Sequence, residues 1–296
     1  MQQAARKTKS RRDLARHQSF DDISPEVGEI DEVAFDEAMA ADPDAALSLL
    51  ADMTGATDEK LRALARRLAG SVVVDLARRG RTRQRGIGRL VTQRYRPDGG
   101  DLDLDASMDA LLVARATGDA VEVDDMRISG WVRPATAFCL LVDRSGSMTG
   151  RPLATSAVAA AAVAHRAADY SVVAFAADAV VAKSQDSEKS VDRVVTDVLT
   201  LRGFGTTDVA LALRTASTQL ARSRAGRKIT VLLSDCRSSN AGDLRVAAAG
   251  VDELIIVAPA GDAEEAIAFG LAIGARVVTV AGPSDIPNAL AHALDD

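Results

Sequence analysis

Thr136-Ala137-Phe138-Cys139-Leu140-Leu141-Val142-Asp143-Arg144-Ser145-Gly146-Ser147-Met148 is an apolar run of strand length that stops at a carboxylate, followed by two hydroxyls spaced by glycine. Nothing alternates within 136–142, so the strand has no solvent face and is buried on both sides. The same kind of run recurs at 170–175, 228–233, 253–257 and 276–280. Between these runs lie Ala-rich stretches that read as helices over about 152–168, 207–222, 241–249, 262–272 and 284–293. Doubly buried strands separated by crossover helices predict an α/β fold, a doubly wound, mainly parallel sheet of Rossmann-like layering flanked by helices. Residues 126–132 read as an edge strand, with Trp131 packing on it. Sheets of this kind gather ligands at the carboxyl ends of their strands. The informative loops are therefore those after Val142, near Gly205 and after Leu233.

The first half of the chain is written differently. Residues 1–16 carry a net charge of +5, 21–59 carry −13, 60–96 carry +11 and 98–125 carry −8, whereas 126–296 are nearly balanced at −1. That asymmetry predicts a boundary, with a helical, charge-segregated region over 1–125 and the α/β domain over 126–296. Helices are expected over 31–41, over 44–53 with Pro43 at its start, from about 57 to 79, and over 107–116. In the third of these, Leu61, Leu64, Leu68, Val72 and Leu76 form one apolar stripe, and Thr57 is placed to cap its start.

Composition excludes several functions. Aromatics are 3% of the 296 residues, too few for a stacking platform that binds single-stranded nucleic acid. Eight Arg fall between Arg78 and Arg96, but acidic blocks flank them, so pairing within the chain is favoured over nucleic acid. No apolar run reaches the roughly 18 residues that would span a bilayer, and no secretory signal is read at the N-terminus, so a cytoplasmic location is expected without a membrane partner. Cys139 and Cys236 are read as reduced thiols. Three histidines leave little for a zinc site or a Ser/His/Asp triad. The chain has no Gly-x4-Gly-Lys-Ser/Thr loop with which to hydrolyse ATP itself, and Gly203-Phe204-Gly205 lacks the third glycine of a dinucleotide fingerprint.

Three loops hold what chemistry remains. Asp143, Ser145 and Ser147 follow the first strand, Gly203-Phe204-Gly205-Thr206-Thr207-Asp208 opens a helix, and Ser234-Asp235-Cys236 follows a third strand. Two carboxylates and several hydroxyls, with no thiolate or imidazole required, make a donor set for a hard divalent cation such as Mg²⁺ or Mn²⁺. An ion held largely by neutral hydroxyls keeps a position at which a partner's carboxylate can bind. Arg144 is read as facing solvent or pairing locally.

This constellation resembles the metal-ion-dependent adhesion site of von Willebrand factor A (VWA) domains, over about residues 126–296. The resemblance implies metal ligation by Asp143, Ser145, Ser147, Thr207 and Asp235. Thr206 stands where that family usually has a second glycine, and is the alternative ligand to Thr207. Ser234-Asp235-Cys236 replaces the usual Thr-Asp-Gly. A VWA domain preceded by a helical segment is similar to the accessory proteins of MoxR-type AAA+ ATPases and to magnesium-chelatase D subunits. That implies a non-enzymatic, metal-dependent adaptor working with a separate ATPase in client remodelling or metal-cofactor insertion. The site would hold an acidic group of a client, and the charged N-terminal region would face the ATPase. A metal-assisted hydrolase using the same site is the alternative from another class; no general base is identifiable beside the three loops.

Overall fold

The protein is described by a computed structural model over residues 8–79, 89–95, 101–118, 120–132, 135–144, 149–203, 205–237 and 244–295. The chain divides into two compact units, one formed by residues up to 83 together with those from 136 onward, the other by residues 84–135. This division does not coincide with the boundary expected at 125/126.

The larger unit begins with helices α1 (Arg11–Leu14), α2 (Phe20–Ile23), α3 (Glu32–Ala41), α4 (Pro43–Met53) and α5 (Glu59–Arg79). Pro43 sits at the start of α4 as expected, and the Asp42 side chain accepts from the N–H groups of Asp44 and Ala45. The start of α5 is capped by Asp58 rather than Thr57: Asp58 Oδ1 accepts from Leu61 N at 2.6 Å, while the Thr57 hydroxyl donates to Lys9 O. The buried face of α5 also differs from the expected leucine stripe. Leu61, Ala65, Ala69, Val73 and Ala77 are buried, and Leu68, Val72 and Leu76 flank them half-buried. Small side chains occupy the centre because α5 lies directly against another alanine-rich helix, where Leu would hold the backbones apart.

The smaller unit is built from β1 (Arg89–Arg94), β2 (Asp101–Leu102), α6 (Leu104–Thr117) and β3 (Arg127–Val132). Its strands pair antiparallel in the order β1-β3-β2. The strand read as an edge of the main sheet is thus the centre of a separate small one. Asp103 ties this unit together, capping α6 through Ala106 N and accepting from the hydroxyls of Thr92 and Ser129.

The larger unit resumes with β4 (Thr136–Asp143), α7 (Arg151–Arg166), β5 (Tyr170–Phe175), β6 (Ala179–Lys183), α8 (Val191–Leu199), α9 (Val209–Leu220), β7 (Arg227–Leu233), α10 (Leu244–Ala248), β8 (Glu253–Pro259), α11 (Glu264–Ile273), β9 (Arg276–Val280) and α12 (Ile286–Asp295). The six strands form one sheet in the order β6-β5-β4-β7-β8-β9, parallel except for β6 at the edge. The doubly wound α/β architecture is therefore as expected, with β6 and α8 as additions.

Both faces of the sheet are covered. Phe138, Leu140 and Val142 of β4 join the core shared with α7, α8, α12, α4 and α5, while Ala137, Cys139 and Leu141 face α9, α10 and α11. Helix α7 is apolar almost all round because the sheet lies on one side of it and α4 and α5 on the other. Its run of alanines lets both neighbours approach closely. No described helix is long and apolar enough to cross a membrane.

Candidate functional site

The parallel order places the carboxyl ends of β5, β4 and β7 side by side, with Phe175, Asp143 and Leu233 at adjoining ends. Two of the informative loops leave from the ends of β4 and β7, and the third, between α8 and α9, reaches the end of β5 through the hydrogen bond from Asp208 N to Ala176 O.

Asp143 is the last residue of β4. Its Oδ2 accepts from the Ser234 hydroxyl at 2.6 Å, which links the first loop to the third. The next residue is fixed to β5: Arg144 N donates to Phe175 O at 2.8 Å, and the Arg144 guanidinium pairs with Asp178. Arg144 is thus locally paired and, at 6% exposure, buried rather than solvent-facing. Ser145 and Ser147 lie outside the described residues.

On the β5 side, Asp208 N donates to Ala176 O, which seats the start of α9 against the strand end beside Asp143. Asp208 caps that helix by accepting from Leu211 N at 2.8 Å, so the capping role does not fall to Thr207. Thr207 is buried and Thr206 is exposed.

On the β7 side, Ser234 and Asp235 build a turn out of their own side chains. The Ser234 hydroxyl oxygen accepts from Cys236 N at 3.0 Å, and Asp235 Oδ1 accepts from Arg237 N at 3.0 Å. The turn requires Cys236 to adopt φ +63°, alone among the described non-glycine residues in having a positive φ. Glycine reaches that conformation without cost, whereas a residue with a Cβ pays about 1–2 kcal/mol. Cys236 thus holds a backbone conformation that favours glycine.

Burial pushes the Cys236 thiol up to about 12, with the Asp235 and Asp143 carboxylates adding to the effect. One sulfur therefore senses both carboxylates, and stays protonated beside them. Cys139 is likewise raised to about 12 by burial, and both cysteines are unpaired thiols. The donors available at this end of the sheet are oxygens. Among the described residues no group of three His, Cys, Asp or Glu side chains gathers as a metal cluster. The donors here are two carboxylates, Asp143 and Asp235, with the Ser234 hydroxyl on Asp143, and oxygen donors of this kind suit a hard divalent cation.

Asp143, Ser234 and Asp235 line a cleft of about 350 Å³. Its other walls are Arg151, Pro152, Thr155 and Ser156 from the start of α7, Leu233, Val257 and Pro259 from strand ends, and Val280, Ala281 and Gly282 after β9. Ser234 was not singled out as a site residue from the sequence, yet it makes a hydrogen bond between the first and third loops. Its place one residue before Asp235 was the available signal.

Residues 138–238 match the family model of the von Willebrand factor type A domain. No curated protein matches the chain. Among solved structures, a von Willebrand factor type A protein from Catenulispora acidiphila is 17% identical, with 56% of this chain and 43% of that one covered and a TM-score of 0.43. BatB from Bacteroides thetaiotaomicron is 12% identical over 54% of this chain and 97% of its own, with a TM-score of 0.41. An aerotolerance-related membrane protein from Bacteroides fragilis is 12% identical over 54% and 98%, with a TM-score of 0.42. The chain spans less than half of the Catenulispora structure. The family match reaches from β4 through Asp143, Thr207 and Asp235, so the stretch of the α/β unit that carries these residues is similar to a von Willebrand factor type A domain.

Proposed function

We propose that the chain is a non-enzymatic, metal-dependent protein-binding adaptor. Asp143, Thr207 and Asp235, with Ser145 and Ser147, would hold one Mg²⁺ or Mn²⁺. The carboxylate of a client would complete the coordination. The observation that supports this most is the Asp143–Ser234 hydrogen bond, which draws two carboxylate-bearing loops to one cleft. Two carboxylates that line one cleft favour a dication, and oxygen donors suit a hard one. When bound, the ion would supply a positive charge and an open coordination position. The protein's own part is to orient the oxygens and offer the cleft beside them.

Calorimetric titration of the full chain with Mn²⁺ and Mg²⁺ tests this reading. One ion per chain is expected for the wild type, and none in Asp143→Ala. Equal heats in both proteins, or none in the wild type, would overturn it.

The adaptor is further proposed to work with a separate MoxR-type AAA+ ATPase, through its resemblance to VWA proteins that accompany such enzymes. Because residues 8–79 share a core with the sheet, the ATPase-facing surface is sought in point variants rather than by truncation. Glu32, Asp36 and Glu37 form an exposed acidic group on α3. The double variant Asp36→Lys/Glu37→Lys should lose capture of the ATPase while retaining Mn²⁺ binding. Undiminished capture would remove this surface from the proposal.

A further inference from the structure

The cleft has walls that do not belong to the strand-end loops, and these are held from the N-terminal helices. Asp44, Ser48 and Asp52 repeat every fourth residue along α4 and so share one side of it. Asp52 Oδ1 accepts from Gly150 N at 2.7 Å, immediately before the cleft residues Arg151 and Pro152. Asp44 Oδ1 accepts from Ser284 N at 2.9 Å, just after the cleft residues Ala281 and Gly282. Arg151 Nη1 donates to Ala281 O at 3.2 Å and joins the two walls.

The fit at both contacts is close. A Cβ at Gly150 would lie 2.8 Å from the Ser48 hydroxyl oxygen, and one at Gly282 would lie 1.9 Å from Asp44 Oδ2. Gly150 also has φ +56°, which favours glycine. Asp52 is 7% exposed and held from the other side by Lys9 Nζ at 3.2 Å and His17 Nε2 at 3.0 Å. A buried carboxylate aimed at a single backbone N–H, with two cationic or ring partners behind it, fixes that N–H in space.

We infer that Asp44 and Asp52 are positioning residues for the Asp143/Asp235 site: α4 clamps the loops on either side of the cleft, and the N-terminal helices are part of the site. Asp52 sets Gly150 N, and with it the start of α7, while Asp44 sets Ser284 N. The neighbouring residues Arg151, Pro152, Ala281 and Gly282 wall the cleft that Asp143 and Asp235 line. Displacing α4 would move both walls relative to Asp143 and Asp235. This inference rests on the metal-binding reading above.

The test is the Mn²⁺ affinity of the full chain, with thermal unfolding in EDTA to report structural loss separately. Contacts outside the ligands that hold a metal site's surroundings in place are worth about 10- to 100-fold in affinity. A loss of that size is expected in Asp52→Ala and in Asp44→Ala. Asp52→Asn keeps an oxygen facing Gly150 N and should bind Mn²⁺ nearly as the wild type does, even though its melting temperature falls. Folded alanine variants with wild-type affinity would overturn the inference while leaving the metal site in place. Should Asp52→Ala not fold, Asp44→Ala decides the matter alone, and unchanged affinity there is equally contrary. A wild type that binds no Mn²⁺ would defeat the metal reading and this inference together, a failure visible without any variant.

Discussion

At the scale of single residues, the account turns on side chains set in unusual places. Cys236 has φ +63° in the turn that presents Asp235. A β-branched side chain fits that region worse than cysteine does, so Cys236→Val is expected to lose about 1–3 kcal/mol, measured by urea unfolding. Asp52 is the second such residue. Burial pushes its carboxyl up, but His17, Lys9 and Gly150 N–H outweigh burial and hold it below the ordinary 3.8. A carboxyl lowered in the folded state adds stability that is complete at neutral pH and disappears as the pH falls from about 3.8 through the lowered value. Asp52→Asn should therefore lower the melting temperature at pH 7, and the difference from wild type should shrink on acidification below pH 4. A difference independent of pH would show that the charge of Asp52 contributes nothing. Residue chemistry was partly legible in the sequence. Asp143 and Asp235 could be placed at the ends of neighbouring strands from the apolar runs before them, whereas the Ser234 contact could not, because it depends on the direction of one hydroxyl.

At the scale of elements, close approach decides more than hydrophobicity. Gly270 on α11 faces Val277 of β9, and a Cβ there would come within 2.2 Å of a Val277 methyl carbon. Gly270→Ala must push the helix off the strand, and is expected to cost about 1–3 kcal/mol despite alanine's better helix propensity. A stabilised protein in chemical unfolding would contradict that. The five parallel strands were readable because each is an unbroken apolar run that only a doubly covered sheet can bury. Strand β6 was not, because Val180 and Val181 are exposed on an edge and their short run resembles a loop. Helix α8 was missed for a different reason. Val194, Val195, Val198 and Leu199 do have helical spacing, but polar residues 184–190 separate them from any recognisable strand. On α5 the leucines drew attention away from Ala65, Ala69 and Ala77, whose small size is what the contact with α7 uses.

At the scale of the molecule, the charge blocks suggested a boundary that the contacts do not respect. Charge describes the solvent-facing side of a helix, whereas domain membership is settled by the buried side. Leu14, Phe20, Leu47 and Leu50 lie in the same core as Phe138, Val158 and Ile229. The sign of this union was present in α7, whose alanine-rich surface has no polar side to give to water. Leu50→Ala, far from the strand-end loops in sequence, should lower global stability by about 2–5 kcal/mol in a single cooperative transition. Hydrogen exchange that shows residues 8–79 unfolding separately from the sheet of the same unit would contradict one shared core.

The most direct test of the central claim is a crystal of the full chain grown with Mn²⁺ and measured for anomalous scattering. The account predicts one strong peak at the ends of β4 and β7, within bonding distance of an Asp143 or Thr207 oxygen and beside the Asp235 carboxylate. An Mn²⁺-bearing crystal with no peak there, or with Asp143 and Asp235 turned away from any common point, would contradict it.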